Sequence, residues 1–205
     1  MDYKIIATGS KDGNCVIIGG DVMVDCGVAF KEIKDYLYDI KYLLITHTHM
    51  DHLNIKTMQQ IAALFPRICI IGNYEVHSAW NCNIIANADF EIVTDDYVFI
   101  PFEGMHDVLV YGYVWTTSDG QEIIYATDTS TLKNAPEKKY DYFFLESNHD
   151  EAKLEAVRDQ KKGTYSPYLS GKRHLSTQQA KAFYYMHRRS PESPFIELHQ
   201  SARFY

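Results

Sequence analysis

Two successions of short strand-like runs, each followed by helical periodicity, limit what this chain can fold into. The first half opens with "YKIIATG", "NCVIIGG" and "DVMVDCG". An amphipathic stretch near "AFKEIKDYL", the apolar run "YLLIT", a helical pattern from about Asn54 and the run "RICIIG" follow. Strand patterns resume at "FEIV", "DYVFIPF" and "DVLVYGYVWTT", and Asp119-Gly120 then marks a hairpin into "EIIYATD". After "YDYFFLES" come a helical stretch ("DEAKLEAVRDQ"), a loop, a helix over "STQQAKAFYYMHRR" and a last strand, "PFIELH". Alternating or continuous apolar runs read as strands, and apolar residues at i, i+3 and i+4 read as helices. The pattern predicts two mainly β layers, each covered by helices. That is an α/β sandwich with four layers, αββα, folding as one domain over residues 1–205. No linker, internal repeat or low-complexity block interrupts it.

Inside this framework, "THTHMDHL" (residues 46–53) puts three of the nine histidines and a carboxylate into six consecutive positions. It lies between the buried run "KYLLIT" and a helical pattern, in a short loop of the kind from which a rigid scaffold presents functional side chains. His47 and His49, at i and i+2 in an extended segment, project the same way and can reach one metal ion. Asp51 and His52 turn into the helix and can address a second. Such a pair needs more ligands, and His106 in "EGMHD", Asp128 at the end of "EIIYATD" and His174 in "KRHLST" fall at strand ends or helix starts.

Composition narrows the class. Hydrophobic content of 46% and charged content of 23% are those of a soluble globular protein. No apolar run approaches the ~20 residues of a membrane span, which predicts no membrane association. The N-terminus shows no basic region followed by an apolar core, so a cytoplasmic protein is expected. Cys15, Cys26, Cys69 and Cys82 show no CxxC spacing and read as reduced core residues. The net charge of −7 argues against a general nucleic-acid binder, yet it is unevenly spread. Residues 1–150 carry 10 Lys+Arg against 22 Asp+Glu, a balance of −12, and residues 151–205 carry 10 against 5, a balance of +5. The pairs Lys161-Lys162, Lys172-Arg173 and Arg188-Arg189, with Tyr165 and Tyr168 between the first two, read either as a solvated surface or as a phosphate-facing lip.

The ordered set His47, His49, Asp51, His52, His106, Asp128, His174 resembles the metallo-β-lactamase superfamily of dinuclear hydrolases. The likeness spans nearly the whole chain, because Asp25 in "VMVDCG" matches the family's first motif, a residue that braces the metal loop. The resemblance implies a four-layer αββα metallo-β-lactamase-like sandwich and two divalent metal ions, Zn2+ first, with Mn2+ or iron as alternatives. It implies that His47, His49 and His106 hold one ion, that Asp51, His52 and His174 hold the other, and that Asp128 bridges them. A water between the ions would lose a proton near neutral pH and supply the nucleophile, with Asp51 orienting it. There is no cysteine ligand of the kind found in the family's true β-lactamases, which argues against antibiotic hydrolysis.

The histidine turn "GMHDVLVYGY" departs from the "GH-[ST]-x-G" turn of glyoxalase II and lactonase relatives. The later segment, with Glu146, Asn148, His149, Gly163, Tyr165 and Leu169, is similar to the YycJ/WalJ-like branch, related to the RNase Z-like phosphodiesterases. A phosphodiesterase is therefore expected, first a nuclease acting on a nucleic-acid end. The alternatives are a cyclic-nucleotide or other small-molecule phosphodiesterase and a lactone or thioester hydrolase of the same fold. His149, after the strand "YFFLES", is a candidate proton donor to the leaving alkoxide or a phosphate ligand, with Asn148 capping the helix after it. His199 reads either as a further site residue or as a satisfied strand-end residue, and His77 and His187 read as surface or packing residues. The oligomeric state is left open, a homodimer included.

Overall fold

A computed structural model describes residues 1–160 and 166–205. The chain falls into two compact units, Met1–Asn87 and Ala88–Tyr205, each built on one six-stranded sheet.

In the first unit the strands lie in sequence order: β1 (Tyr3–Ala7), β2 (Cys15–Ile18), β3 (Val22–Val24), β4 (Tyr42–Ile45), β5 (Cys69–Gly72) and β6 (Ile84–Ile85). β1 to β3 are antiparallel, and β3 to β6 are parallel. The parallel part needs crossovers, supplied by α1 (Phe30–Ile33), α2 (Ile55–Leu64) and α3 (Tyr74–Ala79). Every residue of β2, β3 and β4 is buried, as their continuous apolar runs require. One core of this unit gathers Met23, Leu43 and Ile45 with Ile33, Met58 and Ile61 from the helices. α2 starts where expected, with Asn54 accepting a hydrogen bond from the Thr57 amide.

The second unit repeats the plan with β7 (Ile92–Val93), β8 (Val98–Glu103), β9 (Tyr111–Thr116), β10 (Glu122–Ala126), β11 (Tyr142–Glu146) and β12 (Phe195–Leu198). β7 to β10 are antiparallel, and β10, β11 and β12 are parallel. The expected hairpin pairs Trp115 with Ile123, and Gly120 takes the positive φ of 81° that its turn demands. Helices α4 (Glu151–Glu155), α5 (Pro167–Gly171) and α6 (Thr177–His187) complete the unit. Ala180, Phe183 and Tyr184 of α6 bury against Phe143 and Leu145 of β11. A capping box between Ser176 and Gln179 fixes where α6 begins.

Several elements differ from expectation. α1 is one turn long, and Lys34–Asp39 continue as hydrogen-bonded turns. α3, β6 and α5 are too short to show a period, and α5 is marked only by Ser166 and Pro167 at its start. Asn148 does not cap α4. His149 is still extended, in a parallel bridge with Ser176, so the helix starts later and Asp150 accepts the Lys153 amide. Asn148 instead donates to the His199 carbonyl at 2.9 Å. His174 precedes the Ser176 cap rather than opening α6. The four cysteines are free thiols, and among the described residues no helix is long and apolar enough to cross a membrane.

Candidate metal centre

In open α/β sheets, functional groups collect at the carboxyl ends of parallel strands. Asp25 follows β3, Thr46 and His47 follow β4, Asp128 lies just past β10, Ser147 follows β11 and His199 follows β12. Three of these residues have left-handed backbone: Asp25 at φ 61°, Asp128 at 52° and His199 at 52°. Non-glycine residues hold that conformation at a cost of roughly 1–3 kcal/mol, and such strain gathers at functional sites.

In the first unit, the buried Asp25 organises the histidine loop. It accepts from the Thr46 amide (2.8 Å) and the Thr46 hydroxyl (2.9 Å), and its other oxygen lies 2.7 Å from His52 Nδ1. A carboxylate only accepts, so His52 Nδ1 carries hydrogen and Nε2 is the ring's lone-pair nitrogen. Asn14 agrees, since its Nδ2 donates towards that Nε2 at 2.8 Å. Thr46 has given its one hydrogen to Asp25, so its oxygen accepts from His47 Nδ1 at 2.9 Å. One carboxylate thereby sets the tautomer of two imidazoles. The rings cluster: His47 lies 4.1 Å from His52 and 4.7 Å from His49, centroid to centroid. Asp51 Oδ2 is 3.8 Å from His52 Nε2.

The loop is tied to the Asp25 segment through its backbone. Asn14 and Cys26 donate to the carbonyls of Asp51 and His52, at 2.7 and 2.8 Å. Gly27 lies directly beneath: a Cβ there would stand 1.7 Å from the Asp51 carbonyl oxygen. Only glycine permits that approach.

In the second unit, the fully buried Glu146 plays the corresponding part. Its Oε1 meets His174 Nδ1 at 2.7 Å and His199 Nδ1 at 2.8 Å. Its Oε2 accepts the amides of Thr129 (2.9 Å) and Leu175 (3.2 Å). Asp128, Glu146, His174 and His199 offer ligand atoms all within 4.8 Å of one another. His199 turns Nε2 towards Asp128 Oδ1 at 3.7 Å while Glu146 holds its Nδ1. His174 reaches the same Asp128 oxygen at 3.7 Å only through the nitrogen that Glu146 already occupies. His106 Nε2 lies 3.8 Å from Asp128 Oδ1 and 3.1 Å from Asp107 Oδ1.

Burial alone would lower the His174 pKa, but attraction and a hydrogen bond from Glu146, joined by Asp128, leave it above the ordinary imidazole value. Burial likewise works against an ionised Glu146, and the two histidines outweigh it and bring its pKa down. His149 goes the other way: burial lowers its pKa, with Lys172 and His174 adding to the fall. Its Nδ1 is buried without a hydrogen-bond partner among the described residues.

On the rim of this unit, Arg158 and Lys172 sit over the Tyr168 ring, 5.3 and 5.6 Å from its centroid. Arg173 Nη1 bonds to Asp107 Oδ2 at 2.6 Å, and Leu169 is exposed. Lys161, Lys162, Gly163 and Tyr165 lie outside the described residues. His187 stacks on Phe183 at 4.2 Å, and His77 accepts from the Cys82 amide, so both are packing residues as expected. Thr46 and Asn14 carried no sequence signal of their own. His199 had one: like Asp128, it comes directly after an apolar strand.

The sequence matches the Beta-lactamase superfamily domain over residues 21–187. The chain belongs to the beta-lactamase superfamily. Its α/β fold is of the metallo-β-lactamase type and it is a metal-dependent hydrolase, as the motif order led us to expect. No curated protein matches the sequence. Among solved structures it is similar to the short form of human tRNase Z, at 16% identity and a TM-score of 0.71, over 99% of this chain and 93% of that one. The metallo-β-lactamase fold protein YhfI from Bacillus subtilis gives 14% and 0.70, over 97% and 85%. A diphosphatase of the PhnP family gives 16% and 0.58, over 98% and 87%. At these identities the likeness is one of fold.

The superfamily implies divalent metal ions, and the donor set fits them. Imidazoles and carboxylates are the ligands of zinc, manganese and iron. The Nδ1 atoms of His47, His52 and His199 are each held by a side-chain oxygen, the outer-shell support that metal-binding histidines receive.

Proposed function

We propose that this hydrolase is a dinuclear metal phosphodiesterase acting on nucleic-acid ends. The observation that carries the metal half of the reading is the tautomer control: Asp25, Thr46 and Glu146 fix Nδ1 of three imidazoles, which leaves Nε2 as the coordinating atom. Following the superfamily's motif order, His47, His49 and His106 would hold one ion. Asp51 and His52 would serve the other, with Asp128 bridging. The last ligand was expected to be His174, and the second unit's geometry gives His199 the stronger claim. The ions, zinc first, would supply Lewis acidity and lower the pKa of a bound water.

The chain's own residues do the rest. Asp51 orients the attacking water. His174, whose pKa is raised against its burial by Glu146 bonded at Nδ1, would pass a proton from Nε2 to the leaving alkoxide. His149 was the first candidate for that task, but burial lowers its pKa and suits a neutral ring, which leaves it the other part weighed from the sequence, a phosphate ligand. The basic rim of Arg158, Lys172 and Arg173 supports a polyanionic substrate, as do the tRNase Z and diphosphatase among the structural neighbours. The nuclease reading leads over a cyclic-nucleotide phosphodiesterase because Arg158 and Lys172 meet on the Tyr168 ring with Arg173 next in the chain, Arg158 and Arg173 being also paired with Glu155 and Asp107. Lactone or thioester hydrolysis has no use for them. A cytoplasmic setting and the YycJ/WalJ-like branch remain parts of this proposal.

The test is a substrate panel with metal-loaded protein at two salt concentrations. Bis(p-nitrophenyl) phosphate should be hydrolysed and nitrocefin left intact. Linear oligonucleotides should be cleaved with steep salt dependence, because several phosphates displace counterions on binding. Cleavage of cyclic mononucleotides alone, insensitive to salt, would replace the nuclease reading with the small-molecule one.

A further inference from the structure

The histidine loop has a second side. A groove of about 600 Å³ runs along it within the first unit, walled by Ser10, Lys11, Asp12, His49, Met50 and Asp51 among others. Two of these are proposed metal-site residues, so whatever fills the groove lies beside the reacting group. Its volume is that of a small-ligand site. Another cavity of this unit, about 490 Å³ and walled by Phe65, Trp80 and Asn81 among others, is lined by no charged side chain.

Two features of the groove have no structural explanation. Lys11 is exposed and has neither an ion-pair nor a hydrogen-bond partner among the described residues. It rides on a loop set by Gly9 (φ 128°) and Gly13 (φ 86°) and tied down by the Gly9 amide bonding to Asn14 Oδ1 at 2.9 Å. Met50 is 85% exposed although it sits directly between His49 and Asp51. An unpaired ammonium is a point charge for a phosphate, and a polarizable thioether is a good surface for an aromatic ring. Among the lining residues Lys11 is the one basic side chain, beside the carboxylates of Asp12 and Asp51, so an anion has only the Lys11 ammonium to meet it.

We propose that this groove is the subsite for the nucleotide adjoining the scissile phosphate. Lys11 takes that nucleotide's second phosphate, and Met50 packs against its base. The inference rests on that nuclease reading and adds to it the residues that would meet the neighbouring nucleotide, whose further phosphate an oligonucleotide has and a cyclic mononucleotide lacks.

The test is calorimetric binding of thymidine 3′,5′-bisphosphate and thymidine 5′-monophosphate to zinc-loaded protein, beside bis(p-nitrophenyl) phosphate turnover by the wild type. The bisphosphate should bind about tenfold tighter, the scale of one charge-assisted contact. Lys11→Ala should erase that preference, and Lys11→Arg should restore it. Met50→Ala should weaken both nucleotides alike, and Met50→Leu should recover part of the loss. A wild type that turns over the diester yet shows no bisphosphate preference overturns the subsite and leaves the reaction class standing. So does a Lys11→Ala protein that keeps the preference. A protein that shows the Lys11-dependent preference but hydrolyses no phosphodiester keeps the subsite and loses the reaction class.

Discussion

Asp25→Asn isolates tautomer control from folding. Asparagine tolerates left-handed backbone, so the φ of 61° is kept. The side chain is nearly isosteric, and its carbonyl oxygen can still accept from the Thr46 amide and hydroxyl. The amide nitrogen then faces His52 Nδ1 across 2.7 Å, where a donor now stands. The ring answers by moving its hydrogen to Nε2, and the coordinating lone pair is lost. Replacing one charge-assisted hydrogen bond by a neutral one should cost about 1–2 kcal/mol of stability. For a chain of this size that is a Tm fall of roughly 2–8 °C in metal-free protein. Metal affinity should fall further, by about 10–100-fold for one equivalent, the usual effect of an altered outer-shell partner. Competition with a chromophoric chelator, read beside circular dichroism and Tm, measures both. An Asp25→Asn protein that folds and binds both equivalents with wild-type affinity would refute the reasoning.

Other perturbations follow from the same contacts. Gly27→Ala puts a methyl group 1.7 Å from the Asp51 carbonyl oxygen, so the histidine loop must move. A loss of about 3 kcal/mol is expected in urea unfolding, together with loss of metal binding, and a neutral result would contradict the described loop path. Glu146→Gln leaves one acceptor oxygen for two amides and two imidazoles. A loss of about 3–5 kcal/mol is expected by the same assay. Proton NMR titration of metal-free protein should place the His149 midpoint below the ordinary 6.5 and the His174 midpoint above it. His174 then contributes stability that is present below pH 6.5 and lost as pH rises through its raised value. His149 does the reverse, with stability lost as pH falls from 6.5 through its lowered value. Midpoints in the opposite order would contradict the Glu146 geometry.

Much of this was legible in the sequence, and the reasons are local. β4, α2, β9, β10 and β11 carry a clear apolar period, Asn54 and Asp119-Gly120 mark the start of α2 and the β9–β10 turn, and Ser176 marks the start of α6. The HxHxDH spacing announced metal because few other purposes crowd three imidazoles and a carboxylate into one loop. The short elements α3, β6 and α5 are held by tertiary contact, which leaves no period to read. His199 has two readings in the sequence because sequence cannot show that its backbone turns left-handed and brings Nδ1 to Glu146. Thr46 and Asn14 were missed for a related reason: their role lies in hydrogen-bond direction, and only coordinates reveal that. The Asn148 cap failed because a side-chain preference for helix starts yields to a β-bridge that keeps His149 extended.

The central claim, two ions serving one phosphodiesterase site, is tested most directly by titrating metal-free protein with zinc while following bis(p-nitrophenyl) phosphate hydrolysis. The rate should climb until two equivalents per chain have been added and then level off, with Asp128→Ala abolishing the climb. A rate that saturates at one equivalent would contradict the dinuclear assignment. No hydrolysis at any ratio would contradict the reaction class itself.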